Sequence, residues 1–415
     1  MNMKHVFVWV TPLYQPRLNG IARYARSHGW HLTLADRIGY SPTHWRGDGA
    51  LVTLRDDPET LAFVRTLRKR GVPVVDLTCN HPELHLPRVT GDHAAFGREA
   101  AAYFAERHYA NAAWFSRSWM NIHKLRYEGF CETWRGNAPE RWVLSEILSP
   151  KDRGNFAAIS KSLTTRLQHA PKPLAVLAYD DNDAATLLNV CLSANISVPD
   201  EVAILGIGDD RFVCENQEVS LSSILHDQER TGYDGSALLD RLMAGEPPPK
   251  NPILIPSQGI VTRASSDSFA VKSPALRQAL VYISANLARP FSVDQVAEAA
   301  HVPRRTLERL FETELGRSCG KETLRRRLIQ AKMLLCNENL SLKEIAAACG
   351  FCDQAYFSNA FSRAFGTSPR VFHKVTPDCH TRMPQQPSVN HPASRNQSAA
   401  PPQSYATTPR CKPAE

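Results

Sequence analysis

The 415-residue sequence contains no run of about 18 apolar residues, so it offers no candidate for a membrane span. Its first residues, MNMKHVFVWVTPLY, include one lysine and an apolar run that is too short for a signal-peptide core. No small-residue cleavage site follows that run. The run is typical of a buried first strand instead. We therefore expect a cytoplasmic protein with no membrane partner.

Enzyme signatures are also missing. No GxGxxG follows the first strand, and no Ser-His-Asp or metal-spaced cluster occurs. The ten cysteines are scattered, which suits reduced thiols in a cytoplasmic protein better than a disulfide framework. These absences argue against a redox protein or a dehydrogenase. We predict no enzymatic activity, no catalytic residue, no metal and no cofactor.

The composition is that of an ordinary globular protein, with 43% hydrophobic and 22% charged residues. The length predicts two or three domains. A formal net charge of +8 favours a polyanionic partner only where the charge is clustered.

The first 262 residues alternate short β-branched runs with amphipathic helical runs. This order predicts βαβ units and a parallel sheet covered on both faces. We predict an α/β ligand-sensing domain with two lobes over residues 1–262, with its ligand beyond the carboxyl ends of the strands. The predicted strands are Val6–Val10, His31–Ala35, Gly49–Leu54, Val72–Leu77, Asn111–Ser116, Leu174–Tyr179 and Val202–Ile207.

The remainder of the chain changes character. Residues 263–274 are polar and small and are predicted to be a linker. Residues 275–375 show helical periodicity only, so we predict an all-α domain. Residues 376–415 are rich in Pro, Ser, Gln and Asn with almost no aliphatic side chains, and we expect this tail to be disordered.

The helical part contains an internal repeat. VDQVAEAAHV (Val293–Val302) aligns with LKEIAAACGF (Leu342–Phe351), and LERLFETELG (Leu307–Gly316) aligns with FSNAFSRAFG (Phe357–Gly366). Each copy combines a short helix, a tight turn and a longer helix with an apolar i, i+3, i+4 face. This is the helix-turn-helix pattern, whose second helix is presented to the major groove.

A helical dimerisation bundle would also be built from such hairpins, and charge decides between the two. Nine Lys or Arg face four Glu over residues 303–332, with Arg304, Arg305 and Arg309 on the first candidate recognition helix. Arg325, Arg326 and Arg327 follow on the connecting helix. Basic residues in a repeated helix-turn-helix favour double-stranded DNA as the partner.

The second copy contains the sequence CGFC, residues 349–352, which also fits a redox or zinc pair. No second cysteine pair lies at zinc-finger spacing, and Cys349 ends a helix, where the dipole raises a thiol pKa. In the repeat, Gly350 aligns with His301 and Phe351 with Val302. We predict that Gly350 makes the turn, that Phe351 fills the space between the helices, and that the sulfurs are incidental.

Residues 341–373, SLKEIAAACGFCDQAYFSNAFSRAFGTSPRVFH, closely resemble the signature of the arabinose-regulator (AraC/XylS) class of transcription factors. The resemblance implies base-facing side chains on both recognition helices. Arg bonds well to guanine, and Gln or Asn to adenine. The DNA-binding candidates are Arg304, Arg305, Glu308, Arg309, Gln354, Ala355, Ser358 and Asn359.

The α/β part resembles the sugar-binding core of the lactose/galactose-repressor and periplasmic-binding-protein group. The similar stretches are TGDHAAFGREAAAYFAERHYANAAWFS, RYEGF, LAYDDNDAATLL and ISVPDEVAILGIGDD. Gly208 stands where that group usually has an aspartate, which weakens Asp209 and is compatible with a changed ligand. The effector candidates that the resemblance implies are Tyr14, Asp92, Trp114, Arg126, Asp181 and Asp209.

Some of these candidates have plain alternatives. Asp92 and Asp183 are each suited to cap a helix, and Arg126 to form a surface ion pair. Tyr14 and Trp114 are the candidates for stacking on a sugar ring.

A sugar-binding core fused to an AraC-type module is similar to the regulators of the xylose-activator type. The resemblance implies that a sugar closes the cleft and repositions the helix-turn-helix pair, in a homodimer on two half-sites. It also implies activation of pentose genes, with xylose first, and RNA polymerase as a partner. The alternative is a sugar-binding module whose helical end only forms oligomers.

Overall fold

The computed structural model describes residues 3–10, 14–35, 45–335 and 340–375. The tail 376–415 lies outside these ranges, so its disorder stays a prediction.

Twelve strands occur in the described ranges. They are β1 (Lys4–Trp9), β2 (Trp30–Ala35), β3 (Gly49–Val52), β4 (Val74–Asp76), β5 (Val89–Gly91), β6 (Asn111–Ser116), β7 (Glu140–Val143), β8 (Leu174–Ala178), β9 (Val202–Gly208), β10 (Ser222–His226), β11 (Ile253–Ile255) and β12 (Ser257–Val261).

Sixteen α-helices accompany them within the same ranges. The helices of the α/β part are α1 (Gln15–Ser27), α2 (Pro58–Lys69), α3 (His93–Glu106), α4 (Asn121–Thr133), α5 (Leu144–Ile147), α6 (Phe156–His169), α7 (Asp181–Ser193), α8 (Arg211–Glu215) and α9 (Gln228–Met243). The helices of the C-terminal part are α10 (Pro274–Ala285), α11 (Val293–Ala299), α12 (Arg304–Leu315), α13 (Cys319–Leu334), α14 (Leu342–Ala348), α15 (Gln354–Phe365) and α16 (Pro369–Val375).

The strands form two main sheets, one in each lobe. The first has the order β2-β1-β3-β4 and is parallel. The second has the order β12-β10-β9-β8-β6-β7, in which only β12 runs antiparallel to its neighbour. The predicted fold class, a two-lobed α/β sensor followed by an all-α domain, is confirmed. All seven predicted strands are present.

Continuous apolar strands lie at the centre of each sheet because helices cover both faces. Every residue of β8, LAVLA, is buried, as are all residues of β3. After β5 the chain enters the second lobe, and it returns with α9, which packs with α1 against the first sheet. It crosses again between β11 and β12, so three chain segments connect the lobes.

The helical part confirms the internal repeat. Both copies begin with the same capping box: Ser292 with Gln295, and Ser341 with Glu344. In each copy a short helix is followed by a longer one, α11 by α12 and α14 by α15. The two copies form separate apolar cores, one with Leu307, Phe311 and the α10 side chains, the other with the α15 aromatics.

The segment predicted as a linker is bound to both domains. The Ser265 hydroxyl donates to the Ile204 carbonyl at 2.7 Å, inside the second lobe. Phe269, 1% exposed, belongs to the first core of the helical part. The domain boundaries stay a prediction, but this segment is not a free tether, because buried packing and hydrogen bonds fix it.

Candidate functional site

The two lobes build their cleft faces with similar helix crossings. In the first lobe, α1 crosses α9 where both helices have glycine. A Cβ added at Gly20 would lie 2.0 Å from the Glu229 carbonyl oxygen, and one at Gly232 would lie 2.1 Å from the Arg17 carbonyl oxygen. Only glycine allows this approach, which holds Arg17 against α9.

In the second lobe, α3 crosses α4 in the same way. A Cβ added at Gly97 would lie 2.0 Å from the Arg126 carbonyl oxygen, and one at Gly129 would lie 2.1 Å from the Ala94 carbonyl oxygen. The crossing holds Arg126 against α3.

The crossings share a sequence spacing. Arg-x-x-Gly occurs at 17–20 and again at 126–129. Asp-x-x-x-x-Gly occurs at 92–97 and again at 227–232, on the partner helices. The aspartate that begins each copy of the second pattern caps its helix. Asp92 accepts from the Ala95 N–H, and Asp227 accepts from the Arg230 N–H.

The residue after each capping aspartate contacts the arginine of its own lobe. Arg17 Nε donates to Gln228 Oε1 at 2.9 Å, and Arg126 Nε donates to His93 Nδ1 at 3.3 Å. Gln228 Nε2 lies 2.7 Å from His226 Nδ1, and the His226 and His93 ring centroids are 5.9 Å apart. A chain of polar side chains therefore runs from Arg17 of one lobe to Arg126 of the other, with hydrogen bonds at both ends and a ring contact between the two histidines.

The histidines in this chain are neutral near pH 7. Burial and the nearby guanidiniums hold the pKa values of His93 and His226 well below the ordinary value. His123 stacks on Tyr179 with ring centroids 3.6 Å apart, and burial lowers its pKa to about 3. Gln228 Oε1 accepts from Arg17, so the Gln228 amide nitrogen donates to His226 Nδ1, and Arg126 Nε donates to His93 Nδ1. Both Nδ1 atoms therefore act as acceptors.

Two of the six effector candidates lie at this cluster. Arg126 is 5% exposed and also donates to the Tyr179 carbonyl, so the surface-ion-pair alternative does not describe it. Burial raises the pKa of Tyr14, and the nearby Asp180 carboxylate adds to the shift. Tyr14 follows β1 of the first lobe, and the Asp180 charge that acts on it follows β8 of the second lobe.

Asp181 is engaged within the second lobe. It is 2% exposed and accepts from the Ser223 hydroxyl at 2.5 Å and from the Asp210 N–H at 2.8 Å. Burial raises its pKa to about 6. These bonds tie α7 to β9 and β10, so the geometry supports a structural role and gives no support to the predicted effector contact.

The remaining candidates have other contacts as well. Asp209 forms an ion pair with Arg263 at 2.8 Å. Trp114 is 1% exposed and packs in the core of the second lobe beside Tyr127, with ring centroids 6.1 Å apart. Asp92 caps α3, which was its plain alternative. Their predicted effector roles stay predictions that these contacts do not support.

Sequence reasoning missed five polar residues of the cleft. The recurrence of Arg-x-x-Gly and Asp-x-x-x-x-Gly was available as a signal, because the same two patterns frame both lobes. The missed residues are Arg17, His93, His123, His226 and Gln228.

The first DNA-binding candidate surface is the outer face of α12. Arg305, Glu308 and Arg309 are exposed there, while Leu307 and Phe311 on the opposite face are fully buried. Arg304 differs from its neighbours, because it is held by Glu308 at 2.9 Å and by Asp294 at 3.3 Å.

The second surface is the outer face of α15. Gln354, Ala355 and Asn359 are exposed, Ser358 is half-buried, and the aromatic face points into the core. Asp353 caps the helix by accepting from the Tyr356 N–H. The two helices thus present similar polar faces with different chemistry, cationic on α12 and amide-bearing on α15.

The turns before both helices have the same backbone. His301 has φ 54° and Gly350 has φ 71°, both in the left-handed region. Cys349 is fully buried, and burial raises its pKa to about 12. Phe351 belongs to the apolar core. The turn prediction for CGFC is confirmed, and the buried thiol is the wrong kind for a reactive pair.

The arginine run on α13 is used internally, which corrects the charge argument from sequence. Arg325 makes two bonds of 2.9 Å to the buried Glu322 carboxylate, and Arg326 makes a third of 2.7 Å. Arg327 donates to the Leu287 carbonyl at 3.1 Å. These guanidiniums are therefore engaged in internal contacts.

The same cluster lies where the helical part meets the second lobe. The Arg326 guanidinium lies over the Phe269 ring at 4.3 Å. Burial lowers the pKa of His108, in the turn after α3, to about 4, and the charge of Glu322 opposes this shift. An ion pair of 3.2 Å joins Arg277 to Asp200.

Comparisons with known proteins agree with this architecture. A family described as a periplasmic binding protein-like domain matches residues 101–266, and a helix-turn-helix domain matches residues 296–374. The xylose operon regulatory protein of Escherichia coli K12 is 26% identical over 352 residues, covering 80% of this chain and 85% of the relative. The protein of the same name from Haemophilus influenzae is 26% identical over 368 residues, covering 86% and 93%.

A solved structure of a xylose-binding transcription activator has the same fold. It aligns with a TM-score of 0.56 at 23% identity and covers 90% of this chain and 99% of that chain.

The chain is a transcriptional regulator of the class that joins a periplasmic-binding-protein-like sensor to an AraC-type helix-turn-helix domain. The xylose operon regulators match along both of these parts, as the sequence resemblance predicted. It is a DNA-binding regulator, and the matches do not favour a sugar-binding module without DNA binding. In the described ranges, the helices are too short or too polar to cross a bilayer.

Proposed function

We propose that the chain is a cytoplasmic transcriptional activator whose DNA binding is controlled by a sugar held between its two lobes. The observation that carries this proposal is the line of polar side chains from Arg17 in the first lobe to Arg126 in the second. The same protein also presents two candidate recognition helices. Two relatives are named for a xylose operon, so the proposed effector is a pentose, with xylose as the first candidate.

The lobes are bridged at the rim of the cleft. Asn121 at the start of α4 donates to the Cys79 carbonyl at 2.6 Å, and the Ile122 N–H donates to Asn80 Oδ1 at 3.4 Å. A sugar that contacts both lobes favours this closed arrangement in proportion to its differential affinity for it.

Helix α3 supports a route from the cleft to the DNA-binding domain. It begins at His93 in the cleft and ends beside Arg107, whose carbonyl accepts from the Ala270 N–H at 2.8 Å. The Arg107 guanidinium lies over Tyr103 at 3.5 Å and Phe269 at 5.6 Å. A movement of α3 on cleft closure is thereby passed to the segment that leads into α10.

The finer parts of the proposal are a homodimer on two half-sites and contact with RNA polymerase. The two modules of one chain cover neighbouring major-groove segments, and a dimer doubles that site. DNase I footprinting on duplexes selected from a random library tests the dimer, together with light scattering of the complex. Two protected half-sites and a mass of two chains are expected. A single half-site with one chain would contradict the dimer.

A thermal-shift screen of pentoses and hexoses tests the sugar-sensing part. A bound sugar stabilises the native chain by about 2.7 kcal/mol when its concentration is 100 times its Kd. We expect at least one sugar to raise the melting temperature, with a smaller rise in Arg126→Lys because a lysine cannot reproduce the guanidinium fork. A screen in which no sugar raises the melting temperature would contradict sugar sensing.

A further inference from the structure

The cleft buries two guanidiniums that have only neutral partners. Arg17 is 7% exposed and Arg126 is 5% exposed. The polar contacts of Arg17 go to the Gln228 amide, and those of Arg126 go to His93 Nδ1 and the Tyr179 carbonyl. Burying a charge is costly unless it is paired with an opposite charge.

The buried carboxylates near the cleft make their hydrogen bonds to other groups, although the charge of Asp76 still acts on Arg17. Asp76 pairs with Arg88 at 3.1 Å, and Asp183 pairs with Arg117 at 2.8 Å. Asp181 accepts from Ser223, as described above. Across the described parts of the chain, no ion pair includes Arg17 or Arg126.

The histidines between the two arginines do not balance the charge. His93 and His226 are neutral acceptors, and a proton on either ring would add to the positive charge. Burial lowers the pKa of Arg17 to about 10, which still leaves it charged near pH 7. The cleft therefore contains two buried guanidiniums that have no ion-pair partner among the described residues.

We propose that the effector is a sugar-derived anion whose carboxylate or phosphate group lies between Arg17 and Arg126. A guanidinium fork matches the geometry of both groups and makes short charge-assisted bonds to them. The sugar hydroxyls would then contact His93, His226 and Gln228. This inference rests on the proposed sugar-sensing role, and it changes the candidate from a neutral pentose to an acidic derivative of one.

Isothermal titration calorimetry of the full-length chain at pH 7.5 tests the inference. The probes are D-xylose as the neutral sugar, D-xylonate and D-glucuronate for the carboxylate arm, and D-ribose 5-phosphate for the phosphate arm. Charge-assisted hydrogen bonds contribute about 1.5–3 kcal/mol each, so at least one sugar anion should bind about 10-fold to 100-fold more tightly than D-xylose.

Two variants and a matched control sharpen the result. Arg17→Gln and Arg126→Gln should each weaken the sugar anion by about 10-fold to 100-fold. Each should weaken D-xylose less, so the preference for the anion falls. Arg65→Ala, an exposed arginine on α2, should change neither affinity. Circular dichroism checks folding, and the wild-type preference decides the question if a variant does not fold.

The outcomes separate the two proposals. If D-xylose or another neutral sugar binds at least as tightly as every anion, the charge inference is overturned and sugar sensing stands. If inorganic phosphate or acetate alone binds as tightly as the sugar anions, the cleft is a simple anion site and the inference is also overturned. If neither neutral nor anionic sugars bind, the proposed function fails as well.

Discussion

Two arginine groups in the helical part belong to one basic run in the sequence and differ completely in the structure. Arg305 and Arg309 are exposed on α12 without an ion-pair partner among the described residues. Arg325 and Arg326 on α13 bind the fully buried Glu322 at the junction with the sensor. A cluster of positive charge therefore indicates DNA binding only when burial and carboxylate partners leave it available.

The largest effect on stability is expected from removing the carboxylate that pairs with the buried arginines. Glu322→Gln leaves guanidiniums buried without their carboxylate, which costs about 3–5 kcal/mol of unfolding free energy. Urea unfolding of the full chain measures it. Glu312→Gln, an exposed glutamate on α12, is the control and should change stability by less than about 0.5 kcal/mol. Equal unfolding midpoints for Glu322→Gln and wild type would contradict the assignment.

The contribution of Glu322 to stability should depend on pH. Burial opposes its charge, but the bonds from Arg325 and the charge of Arg326 outweigh burial and lower the Glu322 pKa to about 2. A carboxylate with a depressed folded pKa stabilises the protein above its unfolded pKa of about 4.3, and this contribution is lost as the pH falls towards 2. The stability difference between wild type and Glu322→Gln should shrink over that window.

The exposed group should affect DNA affinity and not stability. Arg305→Ala and Arg309→Ala should each weaken binding to the selected duplex by about 1–3 kcal/mol if the side chain contacts a base. Fluorescence anisotropy at fixed salt measures the affinity, and thermal unfolding should be unchanged. Arg65→Ala on the sensor is the matched control. Wild-type affinity in both α12 variants would exclude this face from the DNA interface.

The cleft is a third arginine environment, and the pH dependence of stability expected there is a smaller effect. His93 contacts Arg126, and its pKa is depressed by burial first, then by the charges of Arg126, His226, Arg17 and His123. A depressed histidine keeps the folded state deprotonated while the unfolded state takes up a proton below about pH 6.5. The folded state therefore loses up to about 1.4 kcal/mol per pH unit below that value.

The variant His93→Asn keeps an acceptor for Arg126 and removes the titration. Melting temperatures between pH 7.5 and 5.5 should fall less steeply in the variant than in wild type. Identical slopes would show that His93 titrates normally and that the cleft is more hydrated than its burial implies.

Arg304 should give the smallest effect. Its pairs with Asp294 and Glu308 compete with phosphate, and such exposed pairs are worth about 0–1 kcal/mol. Arg304→Ala should weaken the DNA complex less than Arg305→Ala does. Asp294→Asn should leave affinity unchanged or raise it, and a loss of affinity in that variant would show that Asp294 orients Arg304 for DNA.

Local patterns were enough to predict much of the fold. The seven strands are continuous apolar runs, and the helix-turn-helix repeat has an apolar face with the turn residue Gly350. The strands that were missed are short or polar, such as β10 with the sequence SSILH, which is buried through its neighbours and not through its own composition. Periodicity within one segment gives no sign of that burial.

The cleft could not be predicted to the same extent, because its partners are distant in the sequence. Arg17 meets Gln228 across 211 positions, and Asp181 meets Ser223 across 42. Sequence shows that a carboxylate follows a strand but not whether a hydroxyl or an arginine already holds it. For that reason the sequence favours Asp181 and Asp209 as sugar ligands over the neutral histidines and Arg17.

The most direct test of sugar-controlled DNA binding is the affinity of the full-length chain for a duplex selected from a random library, with and without a saturating sugar. D-xylose and D-xylonate are the first probes. Coupling between two sites is typically 1–3 kcal/mol, so one of them should change the dissociation constant by about 5-fold to 150-fold. A duplex bound equally well with every sugar that binds the chain, or no duplex bound at low salt, would contradict the account.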